Sequence, residues 1–94
     1  MPALIWHPDA LADVARLHQF LARHNPAAAR RGAAAIISNT TKITKNPRLG
    51  AQRAEFREWP AKFGRRAYII RYAILENGDV LITRVWHSRE QRPS

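Results

Sequence analysis

Ninety-four residues, 46% hydrophobic and without cysteine, allow one domain with its own core and exclude a disulfide framework or a thiolate zinc site. Lysine and arginine number 16 against 7 acidic residues, and the formal net charge of +9 asks for an anionic partner: nucleic acid, an acidic protein or an anionic membrane. Met1 to His7 lack the basic-then-apolar order of a secretory signal, and no apolar run approaches the roughly 18 residues of a membrane span, so a soluble cytoplasmic protein without membrane contact is expected.

Ala3 to Trp6 is a short apolar segment that reads as a strand. It ends at His7-Pro8-Asp9, where proline suits the first position of a helix because its missing N–H is unpaired there in any case. Leu11, Val14, Leu17 or His18, and Leu21 then recur at helical spacing, with Asp13, Arg16 and Arg23 off the stripe, which predicts an amphipathic helix from Pro8 to Arg23. Asn25-Pro26 repeats the start signal. Ala29, Ala33, Ile36, Ile37, Thr40 and Ile43 share the stripe of a second helix, Arg30 and Arg31 stand off it, and Asn46-Pro47 with Gly50 stops it near Lys45. So short a connection folds the two helices into a hairpin.

Beyond Gly50 the period changes from helical to alternating. Ala54 to Trp59 and Ala67 to Leu75 read as strands broken by Pro60 and Gly64, and a last strand runs from Val80 to His87, leaving 88–94 as a tail. Asn77-Gly78 between the last two strands predicts a two-residue type I′ turn. That turn would pair Leu75 with Val80, Ala73 with Ile82, Arg71 with Arg84 and Ile69 with Trp86 on one face, and Ile74 with Leu81, Tyr72 with Thr83, Ile70 with Val85 and Tyr68 with His87 on the other. The second face is the more apolar and should lie on the helices, with Phe56 beside it. The expected architecture is α+β: a short strand, a two-helix hairpin and a small antiparallel sheet, in the order β-α-α-β-β-β, as a single domain over 1–94.

Arg57, Arg71 and Arg84 are then expected on one open surface flanked by Trp59 and Trp86. Like charges opposite one another destabilise a sheet face unless an anion, an acidic partner, Glu55 or a terminal carboxylate neutralises them or water screens them, and arginine is the better bidentate binder of phosphate and carboxylate. Aromatic rings beside guanidinium groups suit bases or a protein interface, whereas tryptophan can also simply cover the sheet under the tail. His87 is a candidate general acid or base, or a strand-end histidine bonded to neighbouring backbone. His7, His18 and His24 lack metal-ligand spacing and the glycines are scattered singly, so neither a metal nor a cofactor is expected.

Several segments, taken in order, resemble the ParE-type toxins of the RelE/ParE superfamily, and together they cover nearly the whole chain. Trp6-His7-Pro8-Asp9-Ala10-Leu11-Ala12-Asp13 is similar to the family's opening, Asn25-Pro26-Ala27-Ala28-Ala29 to its inter-helix turn, and Asn46-Pro47-Arg48-Leu49-Gly50 to the loop after its second helix. Glu55-Phe56-Arg57-Glu58, Tyr68-Ile69-Ile70-Arg71-Tyr72 and Ile82-Thr83-Arg84-Val85-Trp86-His87-Ser88-Arg89 are similar to its later strands. The resemblance implies a toxin inhibited by a cognate antitoxin whose C-terminal segment wraps the helices and sheet, with operator DNA bound only through that complex. It implies a target too: DNA gyrase for ParE-type members, as in plasmid stabilization, or the ribosome for RelE-type members, which cleave messenger RNA. A non-toxic relic that keeps antitoxin binding is a third possibility. In the binding reading Arg57, Trp59, Arg71, Arg84, Trp86 and Arg89 form the contact face; in the ribonuclease reading Arg57, Arg84 and His87, with Arg71, carry the charge and proton roles, without the terminal tyrosine or lysine-rich strand of RelE itself but with a Glu/Arg/His arrangement using Glu55 or Glu58 still open.

Overall fold

The computed structural model describes residues 2–93. Strand β1 (Leu4–Trp6) leads into helices α1 (Pro8–Ala22) and α2 (Pro26–Lys45), followed by β2 (Ala51–Arg53), β3 (Phe56–Phe63), β4 (Arg66–Ile74) and β5 (Val80–His87). Both helices begin as the prolines dictate. The His7 Nδ1 accepts the Asp9 N–H at 3.0 Å, the Asn25 Oδ1 accepts the Ala28 N–H at 3.1 Å, and a proline follows each cap.

The expected α+β class and element order hold, but the sheet has five strands in the order β1-β5-β4-β3-β2 and is mixed. β1 lies parallel to β5, Leu4 against Val80 and Trp6 against Ile82, and β2 adds a short outer strand through a turn in which Ala54 takes φ 50°. Pro60 does not end β3. It lies beyond the end of β2, where β3 is an edge strand and a missing N–H is tolerated.

One sheet face packs on the helix hairpin. Leu17, Ile36 and Ile43 meet Tyr68, Ile70, Tyr72, Val80, Ile82 and Val85 in one apolar cluster. The helix stripes are rotated from those expected: on α1 the buried positions are Ala10, Asp13 and Leu17, with Leu11 exposed, and on α2 Gly32 and Asn39 are buried while Ile37 is exposed. Two close approaches set the spacing between layers. Gly32 lies under the Tyr68 hydroxyl, and Gly50 lies under Tyr72, whose hydroxyl accepts the Gly50 N–H at 2.8 Å and donates to the Pro47 carbonyl at 2.6 Å.

The β4–β5 hairpin corrects the expected turn. Only Gly78 takes positive φ (90°); its N–H donates to the Leu75 carbonyl at 2.9 Å, and the Leu75 N–H donates to the Asp79 carbonyl at 2.8 Å, so the loop has three residues rather than two. The near half of the ladder is therefore one residue out of the expected register, with Tyr72 opposite Ile82, Ala73 opposite Leu81 and Ile74 opposite Val80. A bulge at Thr83 then absorbs the extra residue. Beyond it Arg71 faces Arg84, Ile70 faces Val85, Ile69 faces Trp86 and Tyr68 faces His87, as the sequence predicts.

Candidate functional site

β3 presents the opposite face from the one expected. Glu58 is opposite Arg71, and Arg57 is opposite the buried Tyr72, so Arg57 and Trp59 turn to the helix side while Phe56 and Glu58 stand on the open face. Arg57 donates to the Gly50 carbonyl at 2.8 Å and the Arg48 carbonyl at 3.3 Å, at the end of the loop after α2. The Trp59 indole N–H donates to the Asn39 Oδ1 at 2.9 Å. Strict alternation separates two faces but does not say which is inside. Here the loop carbonyls absorb the cation, and Phe56 carries a guanidinium over its ring.

That guanidinium belongs to Arg71, which is 8% exposed and lies 4.2 Å over the Phe56 ring and 5.0 Å from the Trp86 ring. Its Nε and Nη2 each donate to the Glu58 Oε2 at 3.2 Å, and Nη2 also reaches the Pro93 carbonyl at 3.3 Å. Arg92 of the tail pairs with the other Glu58 oxygen and stacks over Trp86, and Arg53 of β2 approaches the same oxygen at 3.5 Å. Three guanidinium groups thus converge on one buried carboxylate beneath the tail. Trp86 is buried in this stack, and Trp59 is absent from it.

Arg84 faces Arg71 along the backbone, but its side chain leaves the shared surface. β1 ends level with Ile82, which leaves the Val85 N–H without a strand neighbour; Asp13 of α1 accepts it at 2.9 Å and accepts Arg84 Nε and Nη2 at 2.8 and 3.1 Å. Burial pushes the Asp13 carboxyl up, but the hydrogen bonds from Arg84 and Val85 and the charges of Arg84 and Arg16 outweigh it and hold the group below its ordinary value. The same hydrogen bond with Asp13 raises Arg84 above its ordinary value. The charges of the facing arginines are therefore met within the chain, by Glu58 and Asp13 instead of Glu55. The expected three-arginine open surface is divided into three separate contacts.

His87 accepts the Arg89 N–H on its Nδ1 at 3.1 Å and sets its ring edge-on to Tyr68, with centroids 5.7 Å apart. Burial, with the Glu90 charge, pushes the Tyr68 phenol up, so it holds its proton at neutral pH. Tyr68, Phe63, Phe20 and Leu21 line a groove of about 640 Å³ with Arg16 and Arg89 at its margin. Arg16 and Glu90, 2.6 Å apart, clip the tail to α1.

Asp13 as the partner of Arg84, Glu58 as that of Arg71 and Asn39 as that of Trp59 are the pairings that reading the sequence missed. Asp13 had a signal: it falls three residues after Ala10 and four before Leu17, in line with the buried stripe. For Glu58 the register between β3 and β4 was needed, and no local pattern supplies it.

Residues 4–92 match the family described as the ParE toxin of the type II toxin–antitoxin system parDE. The chain is 30% identical over 86 residues to Toxin RelE3 of Caulobacter vibrioides, covering 90% of this chain and 92% of that protein. It is 36% identical over 84 residues to Toxin RelE1 of the same organism, covering 88% and 89%. Among solved structures, the chromosomal ParDE system of P. aeruginosa superposes with a TM-score of 0.74 at 16% identity, over 93% of this chain and 96% of that one. The intact E. coli RelBE toxin–antitoxin complex superposes with a TM-score of 0.66 at 13% identity, over 96% and 100%. These two likenesses are of fold.

Proposed function

From the premise that this chain belongs to the ParE toxin family of type II toxin–antitoxin systems, within the RelE/ParE superfamily, we propose that it acts by binding DNA gyrase and not by cleaving RNA. A cognate antitoxin neutralises it in the cytoplasm. The observation that carries this reading is the dispersal of the candidate catalytic groups. Cleavage at a phosphodiester needs a base, an acid and a cation converging on one phosphate. Arg57 is bound to loop carbonyls behind the sheet, Arg84 is held by Asp13, and the His87 Nδ1 is occupied by the Arg89 N–H. On the other face Arg71 is buried between Phe56 and Trp86 beneath the tail and paired with Glu58, so it too is withheld from a phosphate.

Supercoiling of relaxed plasmid by purified gyrase tests this directly, alongside transcript integrity after induction in cells. Loss of supercoiling with intact messenger RNA is the expected pair of results. Transcript cleavage at codon boundaries with gyrase unaffected would replace the proposal with the ribonuclease reading. Normal growth on induction would mark the chain as an antitoxin-binding relic.

A further inference from the structure

We propose that the tip of the β3–β4 hairpin, Lys62 to Ala67, is a contact site for the phosphate backbone of double-stranded DNA, bound without regard to base sequence. The inference does not depend on which macromolecule the toxin inhibits.

The topology makes the tip a two-stranded ribbon. β2 accompanies β3 only from Phe56 to Glu58, and the chain after β5 accompanies β4 only as far as Ala67, whose carbonyl accepts the Ser88 N–H at 2.9 Å, so the Phe63–Arg66 pair and the turn between them extend past both neighbours. Gly64, at φ 60°, and Arg65 close the turn between the strands.

Charge is concentrated here and is not met. Lys62, Arg65 and Arg66 are exposed, and no acidic residue occurs in the sequence between Glu58 and Glu76. Among the described residues the three cations of the tip have no carboxylate partner, a state they share with Arg23, Arg30 and Arg31 of the helix side; what sets the tip apart is that its cations fall within five residues around one hollow. Lys62, Arg65 and Arg66 line a hollow of about 460 Å³ with Pro60, Gly64 and Ser88. Ser88 Oγ accepts the Ala67 N–H at 3.4 Å, which leaves its own hydroxyl proton free to donate to a phosphate oxygen.

The chemistry of the tip selects among anions. A protein interface of any strength wants an aromatic or aliphatic anchor at its centre, and the aromatic residue of the tip is committed elsewhere: Phe63 stacks on Tyr68 with centroids 5.5 Å apart. For the same reason no ring is free to stack on the bases of a single strand. A duplex exposing only phosphates needs none. The major groove of B-form DNA admits a two-stranded ribbon, whereas that of A-form RNA is too deep and narrow for side chains to enter, which favours DNA over an RNA duplex.

The test is fluorescence anisotropy of the full chain, freed of antitoxin, with a 30-base-pair DNA duplex of arbitrary sequence and its RNA counterpart, across a salt series. The variant Lys62→Ala/Arg65→Ala/Arg66→Ala should bind DNA roughly 10- to 100-fold more weakly at low salt, and the slope of log affinity against log salt should fall by about 2 to 3, since each phosphate contact contributes about 0.9. Arg23→Ala/Arg30→Ala/Arg31→Ala removes equal charge from the helices and should leave the slope unchanged. Arg65→Lys/Arg66→Lys, which keeps the charge, should restore most of the binding and guards against a folding defect. An equal loss in the tip and helix variants would reduce the effect to bulk charge and overturn the site. RNA binding as tight as DNA binding, or a tip variant that loses affinity for polyglutamate while keeping its affinity for DNA, would overturn the choice of occupant.

Discussion

Asp13 stands between a helix and an unpaired strand edge and satisfies both, taking the Val85 N–H and two bonds from Arg84. Because its pKa is depressed in the folded state, its contribution is complete above the unfolded carboxylate value of about 3.9 and is lost as pH falls through the lower folded value. Asp13→Asn should cost about 1–3 kcal/mol at neutral pH, allowing for the half-exposed Arg84. It should also flatten the acid side of the stability profile below about pH 4; urea unfolding from pH 2.5 to 7 reads both effects. Glu58 is the sharper case, since three guanidinium groups share one carboxylate and two of the four side chains in this cluster, Glu58 and Arg71, are nearly inaccessible. Glu58→Gln strands Arg71 between its aromatic rings and should cost roughly 2–4 kcal/mol, against under about 1 kcal/mol for Arg53→Ala at the exposed margin. Equal losses in urea unfolding for these two variants would show that the buried pair is not the stabilising one.

At the scale of elements, punctuation was easier to read than pairing. Pro8, Asn25-Pro26 and Asn46-Pro47 mark the helix limits because their chemistry is local: a fixed φ, an absent N–H, a capping oxygen. The hairpin between β4 and β5 was legible as a hairpin, but its register was wrong by one residue as far as the Thr83 bulge, and right beyond it. Nothing within the strand distinguishes a bulged threonine from a paired one, since the choice depends on what lies across the sheet. The same limit inverted β3: Phe56 looks like core and Arg57 like surface until the Glu58–Arg71 pair and the Gly50 carbonyl are known. Of the candidate site, the Arg71–Arg84 opposition was legible, and the carboxylates that resolve it were not. The turn itself gives a test. Gly78 at φ 90° is the one residue of that loop with positive φ, so Gly78→Ala should cost about 1 kcal/mol, seen as a lower melting temperature with unchanged far-ultraviolet circular dichroism.

For the molecule as a whole, a net charge of +9 on a chain of 94 residues works against compactness. Raising salt from about 20 to 300 mM should therefore raise the melting temperature of the free chain, because screening acts at about the spacing of surface charges. An acidic antitoxin should raise it further by mass action, and that increment should shrink with salt. A free-chain melting temperature that fell steadily with salt would mean that the ion pairs outweigh the repulsion. The parallel pairing of β1 with β5 has a different kind of consequence. Leu4 finds its partner at Val80, and Asp13 finds Arg84 and Val85, so the first two elements are finished only by the last one. During synthesis the sheet cannot close until β5 has left the ribosome, and such distant closures are intrinsically slow. The cell that makes this chain is therefore exposed to its folded form only after β5 has been made, a delay in which an antitoxin already present can meet it.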